Sequence, residues 1–146
     1  MKKLFTPPLA LTALCLSLGL VSAAHADLAI VANKDYSGSS ITIEVVRDLY
    51  HGKSKTLPNG EYAKVVDQPS GSDSRDQFLA GVLEQSESEL NRYWSKLIFS
   101  GKGRPPEVLE SADAVKRWIT LNPEGIGYID SKDVDRTVKV LLKVRQ

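Results

Sequence analysis

Short apolar segments that alternate with capped helices constrain the fold of this chain most strongly. Each segment is brief, apolar and rich in β-favouring residues, as in "LAIVAN" near the start of the domain. Strands that alternate with helices predict an α/β sandwich, and we expect a largely parallel sheet. The predicted strands cover residues 28–33, 63–68, 125–130 and 137–144.

The helices between these strands have recognisable starts. Thr42 is a predicted N-cap for the first helix, and Ser86 with Glu89 forms a capping box for the third. The fourth helix is predicted to begin at about Ser111. These polar starts, each followed by an apolar stripe, predict four helices within one domain of residues 27–146.

The first 26 residues have the layout of a secretory signal peptide. Lys2 and Lys3 precede an apolar run at 9–21, and the small residues Ala24 and Ala26 suit cleavage after Ala26. The run is shorter than the roughly 20 residues that a membrane-spanning helix needs. We therefore expect a periplasmic protein without membrane insertion after cleavage, with a retained anchor helix as the alternative.

Charge and cysteine content exclude several function classes. Removing Lys2 and Lys3 leaves 17 basic against 18 acidic residues, so no basic excess indicates a nucleic-acid partner. Cys15 lies in the signal, so the mature chain has no thiol for a disulfide or a metal. The "GKG" at 101–103 lacks the rest of a phosphate-binding loop, so it does not indicate nucleotide binding. The acidic residues lack the spacing of a calcium-binding loop. We expect no cofactor and no metal.

The stretch "VDQPSGSDSRDQF" at 66–78 is the candidate site. A strand closes, Pro69 and Gly71 turn the chain, and Ser72 or Ser74 is the N-cap of the second helix. Free N–H groups at the helix start, with serine hydroxyls beside them, suit an oxyanion. The alternative is that these residues are only a capped helix start, because caps and turns prefer the same residue types.

Four segments resemble the periplasmic phosphate-binding proteins of ABC transporters. "VVDQPSGSDSRDQF" resembles their Gly-Ser-Gly-Thr segment, and "DLYHGKSKTLPNG", "FSGKGRPP" and "NPEGIGYID" resemble three further segments in the same order. The resemblance implies a three-layer α/β/α sandwich like one lobe of a type II periplasmic binding protein. The partner lobe has no counterpart in this sequence.

The resemblance implies non-enzymatic binding of phosphate or a related oxyanion. Asp73 replaces the middle glycine of the motif, and Gln68 replaces an upstream arginine. A carboxylate about 4 Å from a phosphate charge costs roughly 1 kcal/mol in water and about 4 kcal/mol near a protein surface. The carboxylate of Asp73 therefore has to point away from the ligand, or the positive charge of Arg75 has to offset its negative charge. The implied ligand-binding residues are Ser72, Ser74 and Arg75, with Gly71, Asp73 and Gln68 shaping the site.

One lobe offers only half of a binding cleft. A ligand there stays partly in water, where hydrogen bonds exchange nearly evenly with solvent, so we expect weak binding. A homodimer or an envelope protein partner could supply the missing wall. The alternative function is a protein-interaction module of the same fold that has lost its ligand.

Two further features have more than one interpretation. Lys53, Lys55, Lys102 and Arg104 follow two helix ends and could bind an acidic partner or membrane headgroups. Cations at helix C-termini are also favoured without any ligand.

His51 lies at a helix end, and no G-x-S-x-G elbow marks a hydrolase triad around it. We therefore predict that the protein is not an enzyme.

Overall fold

The computed structural model describes residues 26–145, so the predicted signal before Ala26 lies outside the described residues. The strands are β1 Leu28–Asn33, β2 Lys64–Asp67, β3 Glu107–Val108, β4 Gly125–Asp130 and β5 Val138–Val144. The helices are α1 Ile43–Tyr50, α2 Asp73–Phe78, α3 Glu87–Phe99 and α4 Ala112–Leu121. A π-helical turn, Leu79–Leu83, extends α2, and a 3₁₀ turn, Ser131–Asp133, follows β4. Within the described range, no helix is long and apolar enough to cross a membrane.

The five strands form one mixed sheet with the order β3-β2-β4-β1-β5. β2 pairs parallel with β3 and β4, whereas β1 pairs antiparallel with β4 and β5. Because β5 opposes β1, it runs in the same direction as β4, so four of the five strands share one direction. The expectation of a largely parallel sheet is therefore confirmed except at β1. Alternation of strands and helices along the chain indicates crossovers, but it does not determine which strands become neighbours. Here the first strand lies between two strands from the end of the chain.

Helices cover both faces of the sheet, and the predicted three-layer α/β/α sandwich is confirmed. On one face, α1, α2 with its π turn, and α3 bury residues such as Leu49, Phe78 and Trp94. On the other face, α4 buries Val115 and Ile119. β1 is buried along its whole length because its side chains alternate between these two cores.

The predicted helix starts agree with the structure. Thr42, Ser86 and Ser111 are the N-caps of α1, α3 and α4, and the capping box with Glu89 is present. Of the two starts considered for α2, the structure has Ser72, whose Oγ accepts from the backbone N–H of Arg75 at 3.3 Å. Local hydrogen-bonding preferences thus determined these boundaries.

The strand β3 was not predicted. It follows the "GKGRPP" loop and contains only two residues, so no apolar pattern indicates it. It pairs with β2 at the edge of the sheet, with Val66 opposite Glu107 and Asp67 opposite Val108. The ends of β2 and β3 thereby lie side by side next to the candidate site.

Candidate functional site

The candidate turn connects the end of β2 to the start of α2. Gly71 has a φ of +81°, a conformation that residues with a Cβ rarely adopt. The backbone N–H of Ser72 donates to the carbonyl of Pro69 at 3.1 Å and closes the turn. This geometry directs the chain from the strand into the helix within a few residues.

The first residues of α2 leave backbone donors free of helical partners. Asp73 and Ser74 are its first two residues, so no carbonyl of the helix lies upstream to accept from their N–H groups. Ser72 and Ser74 are half-buried, and Asp73 is exposed to solvent. The turn therefore combines amide and hydroxyl donors with one solvent-exposed carboxylate.

Arg75 lies inside the protein, and its guanidinium is already bound to carboxylates. Its side chain is only 8% exposed. Nε and Nη2 donate to the two carboxylate oxygens of Glu87 at 3.1 and 3.0 Å. Nη1 donates to Oδ2 of Asp67 in a buried ion pair. Three of the five N–H donors of this guanidinium are therefore used within the fold.

The electrostatics of this cluster do not favour an added anion. Burial by itself would lower the pKa of Arg75, but the hydrogen bonds to Glu87 and Asp67 outweigh it and raise the pKa. Arg75 is thus permanently charged, and two carboxylates share its one charge. The three side chains have a formal net charge of −1, so the cluster has no surplus positive charge for a phosphate.

Asp67 is the centre of a buried hydrogen-bond network. Besides Arg75, it accepts from the hydroxyl of Tyr128 and from the backbone N–H of Gln68 at 2.8 Å. Burial first, and the charge of Asp67 second, raise the pKa of the Tyr128 hydroxyl. Gln68 is also engaged, because its Nε2 donates to the backbone carbonyl of Tyr128 at 2.7 Å. The network joins β2, α2, α3 and β4.

A cleft of about 340 Å³ lies beside this network. Gln68 and Arg75 line it, together with Asp67, Glu87 and Ser70. The rest of the predicted set, residues 71–74, lies outside that lining. The structure therefore divides the predicted ligand-binding residues into a buried, paired group and an open turn.

Three members of the network were not predicted from the sequence: Asp67, Glu87 and Tyr128. The role of Asp67 could have been predicted, because an acid at the end of an apolar strand needs a cation if it is buried. Arg75 is the next cation along the chain. Glu87 looks like an ordinary acid in the first turn of a helix, and no local pattern indicates the contact of Tyr128 with Asp67.

His51 has ordinary structural partners. One ring nitrogen, Nδ1, lies 2.9 Å from the carbonyl of Arg47, and Nε2 lies 2.8 Å from Oε1 of Gln85. The ring also packs edge-on against Tyr93. A backbone carbonyl and a side-chain amide therefore each contact one ring nitrogen. These contacts differ from the serine–histidine–carboxylate arrangement of a hydrolase.

Comparisons with solved structures identify the fold. A protein assigned as a phosphate ABC transporter substrate-binding protein from Clostridium perfringens, solved with bound phosphate, matches with a TM-score of 0.64 and 22% identity. The match covers 81% of this chain and 46% of that protein. An ABC-type phosphate transport receptor from Vibrio cholerae matches with a TM-score of 0.63 and 20% identity, over 81% and 47% of the two chains.

A third match gives the same result. PstS from Borrelia burgdorferi has a TM-score of 0.59 and 16% identity, over 80% of this chain and 47% of its own length. No protein-family model matches this sequence, and no curated protein matches it. The neighbours described here are binding proteins, and the chain spans less than half the length of each. The described chain is therefore similar in fold to a single lobe of the phosphate ABC transporter substrate-binding proteins.

Proposed function

We propose that this protein is a periplasmic, non-enzymatic solute-binding protein of one lobe that holds phosphate or a related oxyanion weakly. The observation that carries this proposal is the open turn before α2. It presents unpaired helix-start amides of Asp73 and Ser74 at the end of a parallel strand. In α/β folds, ligands bind at such strand ends, and helix N-termini attract anions.

The proposed ligand contacts come from the turn itself. The amides of Asp73 and Ser74 and the hydroxyls of Ser72 and Ser74 donate to the anion. A Cβ added to Gly71 would meet no heavy atom within 4 Å, so an anion has room to approach the backbone there. Asp73, being exposed, turns its carboxylate to water and away from the ligand in this proposal.

Two features limit the affinity. The site has one wall, so the ligand keeps part of its hydration, and each hydrogen bond replaces one to water. Arg75 reaches the anion only after Glu87 leaves it, because the inner pair with Asp67 is buried. Glu87, with a side chain 32% exposed, is the partner that can move. A homodimer or an envelope protein partner would tighten binding by covering the open side.

Calorimetric titration with inorganic phosphate, with sulfate as the comparison ligand, tests this proposal. We expect weak binding that Ser74→Ala reduces and Glu87→Gln strengthens, because the second change frees Arg75. Glu110→Gln, which removes an exposed carboxylate elsewhere, is the matched control and should leave the titration unchanged. No heat with phosphate at millimolar concentration for the wild type and Glu87→Gln alike would refute the oxyanion site.

A second candidate function is a protein-interaction module of the same fold. The specific observation that favours it is the occupied guanidinium of Arg75, because Asp67 and Glu87 already supply the negative charge that an anionic ligand would bring. Affinity purification from envelope extracts, with and without phosphate, tests it. A stoichiometric protein partner whose recovery does not change with phosphate supports this function, whereas a partner seen only with phosphate favours the receptor.

A further inference from the structure

A second cleft, of about 740 Å³, shares Trp94 with the cleft beside the Arg75 network. It is formed by the loop after α1 and the loop between α3 and β3, with the start of β2 between them. We call it the basic cleft, because four cations and one carboxylate line it, for a formal charge of +3. These residues are Lys55, Lys64, Lys102, Arg104 and Glu107.

Three of these cations are available to a partner. Across residues 26–145, no carboxylate oxygen lies within 4 Å of the charged groups of Lys55, Lys102 or Arg104. All three side chains are exposed. Lys64 is different, because its ammonium lies 5.4 Å from the centre of the Trp118 ring. The cleft therefore has positive charge that nothing within the described chain neutralises.

The floor of the basic cleft is apolar. Leu49 and Trp94 are buried beneath it, and Leu97 is half-buried. At its rim, Tyr62 is 56% exposed and Ile98 is 53% exposed, which is high for large apolar side chains. An apolar floor within a cationic rim suits a ligand that combines apolar groups with negative charge.

The apolar surface continues past the basic cleft. Trp94, Ile98 and the prolines at 105–106 line both this cleft and the one beside Arg75. The exposed Val108 of the edge strand β3 lines the cleft beside Arg75 and not the basic cleft. The combined surface is therefore larger than either cleft alone. A lone tetrahedral anion would fill little of it and would leave the apolar groups in water.

We propose that the basic cleft docks an acidic, partly apolar segment of a protein partner. Its charge complements the exposed cations, and its apolar side chains cover Tyr62 and Ile98. A flat membrane surface fits less well, because the apolar floor lies at the bottom of a concavity. This inference names the surface and partner chemistry of the interaction module, and it does not depend on the oxyanion site.

Selection from a random displayed peptide library tests the inference on the mature chain. We expect the selected peptides to be enriched in Asp and Glu together with aromatic or aliphatic residues. Their affinity is measured by fluorescence polarisation. It should fall by about tenfold in the variant Lys55→Gln/Lys102→Gln/Arg104→Gln, because three exposed charge pairs with the peptide are lost together. It should also fall as salt concentration rises, because surface charges are screened.

The control variant removes equal charge elsewhere. Arg117→Gln/Arg136→Gln/Lys143→Gln changes three exposed cations that do not line the basic cleft, and peptide affinity should stay unchanged. Absence of selected peptides, selection without acidic enrichment, or equal loss in the two variants would overturn the inference. So would binding of anionic vesicles or inorganic tripolyphosphate to the cleft in place of any peptide. Phosphate titration of the same cleft variant should match the wild type, which separates this inference from the oxyanion proposal.

Discussion

The two neighbouring clefts differ in whether their charged groups are buried and paired. Beside α2, the charged groups of Arg75 and Asp67 are buried and bound to one another. In the basic cleft, Lys55, Lys102 and Arg104 are exposed, and no carboxylate of the described chain pairs with them. Trp94 lines both clefts.

Burial explains this difference. A buried charge without a partner costs several kcal/mol, so the fold has to satisfy it internally. An exposed charge is solvated by water and can exchange that water for a partner at little cost. The arginine that the sequence motif suggests for a ligand is therefore part of the internal framework, whereas the unassigned surface cations remain available.

The largest expected effect comes from removing the buried cation. Arg75→Leu leaves Asp67 buried without its ion pair, and we expect the free energy of unfolding to fall by about 3–5 kcal/mol. Urea denaturation measures it, with the exposed Arg117→Leu as control, expected within about 0.5 kcal/mol of wild type. A loss below about 1 kcal/mol for Arg75→Leu would mean that the pair is not structural, and the contrast between the clefts would fail.

A smaller effect is expected from the hydroxyl of Tyr128. Tyr128→Phe removes one hydrogen bond to Asp67 and leaves the carboxylate less satisfied, at a cost of about 1–3 kcal/mol. Urea denaturation at neutral pH measures this cost. An unchanged midpoint would show that the hydroxyl contributes nothing to the network.

The same tyrosine gives a pH dependence with a defined sign. Because burial, followed by the charge of Asp67, raises the pKa of Tyr128, the folded state holds this proton more tightly than the unfolded state. The stabilisation is complete below the unfolded pKa of about 10 and declines as the pH rises above it. Denaturation at about pH 8 and about pH 11 should therefore show a steeper loss for wild type than for Tyr128→Phe. Equal slopes would contradict the burial of an ionisable group there.

The turn before α2 should respond less. Ser72→Ala removes the N-cap and should lower the free energy of unfolding by about 1 kcal/mol. Ser74→Ala removes no cap, and we expect a change within about 0.5 kcal/mol. Thermal denaturation of both variants makes the comparison. Equal losses would indicate that the hydroxyl of Ser74 has a structural role and is not free for a ligand.

The smallest effect is expected in the basic cleft. Replacing Lys55, Lys102 and Arg104 by glutamine should change the free energy of unfolding by less than about 0.5 kcal/mol, because these side chains stabilise no buried charge. Chemical denaturation at low and high salt provides the measurement. A loss above about 1 kcal/mol would make these cations structural and remove their availability for a partner.

Much of the fold could be predicted from local patterns. The N-caps at Thr42, Ser86 and Ser111 and the strand at 125–130 agree with the structure because caps and apolar runs involve residues close in sequence. The sheet was predicted less well. β3 is too short to show a pattern, and the antiparallel position of β1 depends on strands from the far end of the chain.

The sequence by itself determined where the helices and four of the five strands lie and how the candidate turn is built, because backbone hydrogen bonding and apolar periodicity act over a few residues. Only the tertiary structure decided which charges are neutralised inside the fold. Asp67, Arg75, Glu87 and Tyr128 come from four different elements, and their contacts form only when those elements pack. Burial then made one arginine a structural residue and left the surface cations free, because desolvation acts only on groups that packing removes from water.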